Sequence, residues 1–148
     1  MHRLKLKNPI GYYISNMGRS ISHQLTLLFQ PYDVTSEQWS IMFCLIGEEG
    51  MTHKELASRT EKDRANVTRL VDQLERKGLV KRVNNPEDRR SIFLHLTEEG
   101  KKIVQALIPI EQAFIRNLLK GVSEEELEQF TATIHKLNEN VNRHVQLN

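Results

Sequence analysis

Apolar positions recur with helical spacing along most of the chain. Ile10, Ile14, Met17, Ile21, Leu25 and Leu28 follow one another at intervals of three and four, one stripe of a helix over residues 9–30. Pro31-Tyr32-Asp33 ends it. Thr35 with Gln38 reads as a capping box opening a second helix to about Ile46, with Gly47 and Gly50 at its end. Thr52 with Glu55 repeats the box and opens a short third helix to about Arg59. Past Thr60-Glu61-Lys62, Asp63 is a good N-cap for a fourth helix, Arg64 to Lys77. Val67, Leu70, Val71 and Leu74 have core spacing on it, and Gly78 suits the left-handed position after its end.

The period then changes to two. Leu79–Val83 reads as a strand, Asn84-Asn85-Pro86-Glu87-Asp88 as a turn, and Ser91–Leu96 as the returning strand, with Ile92, Leu94 and Leu96 on one face. Thr97 caps a fifth helix whose first residues, Glu98 and Glu99, suit its dipole. That helix is predicted to reach Lys120, kinked or divided at Pro109. Ser123 with Glu126, a third capping box, starts a last helix to about Val145. A short helix, a tight turn, a longer helix and a hairpin define a winged helix-turn-helix, here in a mainly α (α+β) chain. The longer helix is able to lie in a major groove, and the hairpin has basic residues near its tip.

Composition narrows the class. A chain of 148 residues suits one domain with an adequate core, and 39% apolar with 27% charged residues is ordinary for a globular protein. No apolar run approaches membrane-span length, and no apolar region follows the basic start Met1–Lys7. A single cysteine makes no internal disulfide. A cytoplasmic protein without membrane contact is expected. Charge is unevenly placed. Residues 1–30 carry Arg3, Lys5, Lys7 and Arg19 and no acid, while residues 31–50 carry Asp33, Glu37, Glu48 and Glu49 and no base. Between residues 76 and 90, six basic side chains face only Glu87 and Asp88, either a solvated face or one that meets an anionic partner.

From Asp63 the chain reads DRANVTRLVDQLERKGLVKR and then VNNPEDRRSIFLHLTEEG. The recognition-helix pattern up to Gly78-Leu79-Val80, the Asp88-Arg89-Arg90 wing and Leu96-Thr97-Glu98-Glu99-Gly100, in this order and spacing, closely resemble the MarR family of bacterial winged-helix regulators. The resemblance covers nearly the whole chain as a single domain. It implies a DNA-binding lobe over 34–97 and dimerisation helices over 1–33 and 98–148. It also implies a homodimer on a near-palindromic double-stranded operator, usually repressing and often released by a small ligand or oxidant.

Arg64, Asn66, Thr68 and Arg69 lie along the early part of the fourth helix. Arginine can bond guanine bidentately, asparagine adenine, and Thr68 a phosphate or a thymine methyl. The resemblance suggests base contact for Arg69. The alternative is that Arg64 and Arg69 bind phosphates or pair with Glu61 and Asp72. At the wing are Arg89 and Arg90, and an arginine on a hairpin tip can enter a narrow minor groove. The resemblance gives that contact to Arg90, with Asp88 orienting it; an exposed turn held by an Asp88–Arg90 pair is the alternative. Thr52, His53 and Lys54 open the supporting helix, where their donors can reach a phosphate.

Other chemistry is thinly represented. Cys44 lies among large apolar neighbours and lacks the basic support of a redox thiolate. Peroxide-sensing relatives carry their cysteine in the first helix, where this chain has none. No two of His2, His23, His53, His95, His135 and His144 are three or four residues apart, so no metal is expected. Nor is any cofactor, and no phosphate-cradling glycine loop, nucleophile elbow or HExxH motif suggests an enzyme. Relatives often bind small, frequently aromatic, acids beside their dimer helices. Tyr12, Tyr13, Arg19, His23, Trp39 and Phe43 are candidates to line such a cleft for an aromatic or anionic effector, or they are ordinary interface packing. A dimeric protein-interaction module that keeps the fold without reading DNA is the competing function, since fold alone does not fix activity.

Overall fold

A computed structural model describes residues 9–47 and 50–146, without the side chains of 144–146. Arg3, Lys5 and Lys7 and the acids Glu48 and Glu49 lie outside the described residues. The chain divides into two compact units, Met1–Gln112 and Ala113–Asn148.

The first unit opens with α1, Ile10–Phe29, closed by a single 3-10 turn over Gln30–Tyr32. α2 (Ser36–Cys44) and α3 (His53–Thr60) each begin with a complete capping box, Thr35 with Gln38 and Thr52 with Glu55. The hydroxyl accepts the N–H three residues on, and that residue's side chain accepts the N–H of the threonine, so two orphan donors are satisfied reciprocally. α2 ends two residues before the predicted Ile46. Leu45–Gly47 form a turn in which Gly47 has φ +71°, open to glycine at little steric cost.

α4 spans Arg64–Arg76, with Asp63 Oδ1 accepting the Asn66 N–H at 2.7 Å. Its end is a Schellman motif. Gly78 (φ +73°) donates to the Glu75 carbonyl at 2.9 Å and Leu79 to the Leu74 carbonyl at 3.0 Å. Between α3 and α4, Glu61 takes the left-handed conformation (φ +54°), which makes the connection tight.

β1 (Val80–Asn84) and β2 (Ile92–Leu96) pair antiparallel, with Val80 opposite Leu96 and Asn84 opposite Ile92. Met51 adds a bridge to Leu94 through bonds of 3.2 and 2.8 Å. Ile92, Leu94 and Leu96 share one face of β2 as alternation predicts; Leu94 and Leu96 are buried in the core, and Ile92, at the end of the strand nearest the hairpin tip, is 38% exposed.

The core is continuous through this unit. Leu25 and Phe29 of α1, Trp39, Ile41 and Met42 of α2, Leu56 of α3 and Val67, Leu70, Val71 and Leu74 of α4 are buried with Val80, Leu94 and Leu96 of the hairpin. Val104 and Leu107 of α5 (Glu98–Leu118) complete it. Thr97 caps α5, accepting the Gly100 N–H at 3.0 Å. Pro109 does not divide α5, which continues through it. Pro109 lacks the N–H that would bond the Gln105 carbonyl, but both residues are exposed, so that carbonyl is open to solvent.

The second unit holds the end of α5, a turn at Gly121 (φ +80°) and α6, Glu124–Gln146. Ser123 Oγ accepts the Glu126 N–H at 3.1 Å. The Glu126 carboxylate takes its bond from the serine hydroxyl at 3.3 Å rather than from the backbone, so the predicted box is closed differently.

Candidate nucleic-acid interface

Local rules position the residues. The box at Thr52 leaves the N–H groups of His53 and Lys54 without intrahelical partners at the positive end of α3. The Asp63 cap starts α4 so that Arg64, Thr68 and Arg69 are exposed and Asn66 half-buried, while Val67, Leu70, Val71 and Leu74 anchor the other face. The wing tip is fixed by two side-chain turns. Asn85 Oδ1 accepts the Glu87 N–H and Asp88 Oδ1 the Arg90 N–H, each at 3.0 Å. Asp88 therefore orients Arg90 through its backbone N–H, not by the guanidinium pair considered from the sequence.

Packing of α3 on α4, and of α3 against β2, brings these pieces together. A cavity of about 350 Å³ is lined by Thr52, His53, Lys54, Arg64, Arg90, Ser91 and Ile92. Among the described residues no carboxylate lines it. Arg64, Arg89 and Arg90 are exposed, and among the described residues none of their guanidinium groups is engaged in an ion pair. Burial lowers the pKa of His53, reinforced by Arg82 and Arg64 and opposed by Asp72.

Arg69 is differently placed. Its Nη2 donates to Glu37 Oε2 at 3.1 Å and to Asn66 Oδ1 at 2.6 Å. Neither Glu61 nor Asp72 pairs with Arg69 among the described residues. Asp72 accepts from Arg82 Nη2 at 2.5 Å, and Arg82 Nη1 also pairs with Glu75 at 2.6 Å. This ties β1 to the middle of α4 and holds the Asp72 carboxyl below the usual carboxylate range, chiefly through the Arg82 hydrogen bond. Glu37, Arg82 and Glu75 were not singled out from the sequence. The unbalanced acidity of residues 31–50 was the available signal for Glu37.

The effector candidates do not form one cluster within the protomer. Trp39 is buried, donates from Nε1 to Glu111 Oε2 at 2.8 Å, and packs at a tilt between Phe29 and the exposed Phe43, with ring centroids 5.6 and 5.8 Å away. Tyr12 and Tyr13 are exposed near the start of α1, roughly 24 Å along the helix from Phe29 at 1.5 Å per residue. Arg19 bonds Ser15 and Asn16 on its own helix, and His23 is exposed. Cys44 ends α2, half-buried, and burial pushes its thiol up against the opposing effect of Arg59. Among the described residues no group of three or more His, Cys, Asp or Glu is placed to hold a metal, and no helix is long and apolar enough to cross a membrane.

A helix-turn-helix with an unpaired cationic wing beside it is the fold of winged-helix regulators. The MarR family model matches residues 34–92, from the approach to α2 to the start of β2. The chain is 32% identical over 124 residues to the transcriptional regulator HosA of Escherichia coli O111:H-, covering 78% of this chain and 92% of that protein. It is 30% identical to YsmB of Bacillus subtilis (strain 168), an uncharacterised HTH-type transcriptional regulator, over 90% of this chain and 87% of the other. The solved S. aureus MepR–DNA complex superposes with a TM-score of 0.81 at 26% identity, over 88% of this chain and 95% of MepR. The chain belongs to the MarR family of winged-helix transcriptional regulators.

Proposed function

We propose that this regulator acts as a homodimer that reads a near-palindromic double-stranded operator, with α4 in the major groove and the wing in the adjacent minor groove. The observation that carries this reading is the carboxylate-free cavity at which the N-terminus of α3, Arg64 of α4 and Arg90 of the wing meet. A phosphate backbone fits that set of donors, and Arg90 at the edge of the hairpin fits a narrow groove of concentrated negative potential. A module with no anionic partner has no use for unpaired cations at all three places. Arg69 and Asn66 are the base-reading pair, and Arg89 and Lys54 add backbone contacts. Repression, and release by a small aromatic or anionic ligand, follow what the family resemblance implies.

The test is selection of DNA from a randomised library, followed by anisotropy titrations on the selected duplex at two salt concentrations. Arg90→Ala is expected to weaken binding by roughly 1–3 kcal/mol with the fold intact, and to flatten the salt dependence if a phosphate contact goes with it. Unchanged affinity removes Arg90 from the groove, and failure of the wild type to enrich any sequence overturns the reading.

A further inference from the structure

We propose that Glu37, at the start of α2, is a specificity-determining residue: it holds Arg69 in place on the reading helix and penalises DNA that does not offer Arg69 a base. The inference rests on the reading of α4 as the DNA-reading element.

The geometry is a three-residue link. Glu37 Oε2 and Asn66 Oδ1 both accept from the same nitrogen of Arg69, at 3.1 and 2.6 Å, so the two candidate base readers are tied to each other and to α2. The backbone N–H of Asn66 is bound by the Asp63 cap at 2.7 Å, which fixes the turn of α4 from which its side chain projects. Glu37, Arg69, Arg76 and Lys77 line a cleft of about 570 Å³ along the flank of α4, and among the described residues Glu37 is the one carboxylate lining it. Lys77 is itself engaged, by Gln38 Oε1 at 2.9 Å and by Asp33 at 3.6 Å.

A carboxylate beside a DNA-reading helix is repelled by phosphate whatever the sequence. With Glu37 in place, the guanidinium is oriented before contact, and less side-chain entropy is lost when it meets a base. Released from Glu37, the same guanidinium is free to swing to the nearest phosphate, which every sequence offers. The acid therefore weakens binding to all DNA and does so least where Arg69 finds its base, which is discrimination by penalty on the wrong partner. Arg69 and Glu37 side chains are each about half exposed (52% and 50%). Such a pair contributes little to folding, so loss of the acid is expected to leave the melting temperature nearly unchanged.

The experiment compares wild type, Glu37→Gln, Glu37→Asp, Arg69→Ala and the Glu37→Gln/Arg69→Ala double variant by anisotropy on two duplexes. One carries the sequence that the wild type selects from randomised DNA; the other is its scrambled form. Glu37→Gln is expected to bind the scrambled duplex roughly threefold to tenfold more tightly, with the selected-to-scrambled ratio falling by a similar factor. Glu37→Asp is expected to keep most of the ratio. In the Arg69→Ala background the same change is expected to raise both affinities together and leave the ratio where it was, which a merely structural role does not produce. The proposal is overturned if Glu37→Gln keeps the wild-type ratio, or if it lowers the ratio equally with Arg69 absent. A wild type that selects no sequence removes DNA reading and this role with it. A wild type that selects, beside a Glu37→Gln variant with an unaltered ratio, removes only this role.

Discussion

The imidazole of His53 sits half-buried at the opening of α3, with Arg82, Arg64 and Asp72 as its charged neighbours. Burial and the two arginines favour the neutral ring over the charged one, against the weaker pull of Asp72. The free protein therefore binds fewer protons here than its unfolded chain. Stability from this group is present at neutral pH and is lost as pH falls through the ordinary histidine range. A DNA phosphate in the adjacent cavity would oppose these effects, since an anion raises the pKa of the ring. Binding would then take up a proton, and affinity is expected to rise as pH falls through the histidine range. Titrations of wild type and His53→Gln between about pH 5.5 and 7.5 check this. Equal pH dependence in the two proteins would mean that His53 meets no phosphate.

Elements are set by their ends more than by their middles. Each of α2, α3 and α4 starts at a side-chain cap, and α4 stops at a glycine. α5 starts under a tighter constraint. Its cap, Thr97, bonds forward to the Gly100 N–H and also back to the Gly78 carbonyl at 2.6 Å, while the Thr97 N–H reaches the Leu79 carbonyl at 3.0 Å. The helix start is thereby clamped onto the turn that ends α4. A Cβ at Gly100 would run into the Leu79 carbonyl oxygen, which is backbone and cannot rotate away. Gly100→Ala is therefore expected to destabilise the fold by roughly 1–3 kcal/mol, although alanine is the better helix former. Urea denaturation measures it, and an unshifted midpoint would show that α5 can move without cost. The same contact gives a physical reason for glycine at the end of the Leu96–Gly100 segment.

At the scale of the whole molecule, two surfaces are more apolar than a monomer needs. Ile10, Tyr12, Tyr13, Ile14 and Met17 are exposed on α1 of the first unit, and Leu127, Phe130 and Val141 on α6 of the second. Terminal helices with apolar faces left in water are the expected signature of a dimer seen one chain at a time. Light scattering at micromolar concentration should return the dimer mass, and a monomer there would falsify the two-fold reading of the operator as well.

By itself the sequence determined the helices, the capping residues, the glycine that closes α4, the hairpin and its turn. The helices, caps and turn rest on contacts within four or five residues, so their donors and acceptors are named by spacing alone; the hairpin pairs residues 8 to 16 apart, but its two-residue period and the turn between its strands mark it in the sequence. It also placed Arg64, Asn66, Arg69 and Arg90 on the elements where they are found. Tertiary structure decided which of them are free and which are held. Glu37 reaches Arg69 across 32 residues, Gln38 reaches Gln73 across 35, and Trp39 reaches Glu111 across 72. Gln38 shows the limit well. Spacing identifies its part in the capping box, yet only the packing of α2 on α4 buries it and gives its amide to Gln73 and its oxygen to Lys77. Side chains so far apart in the chain carry no mutual period, and the buried or half-buried polar groups among them take whichever partner the packed helices bring within bonding distance.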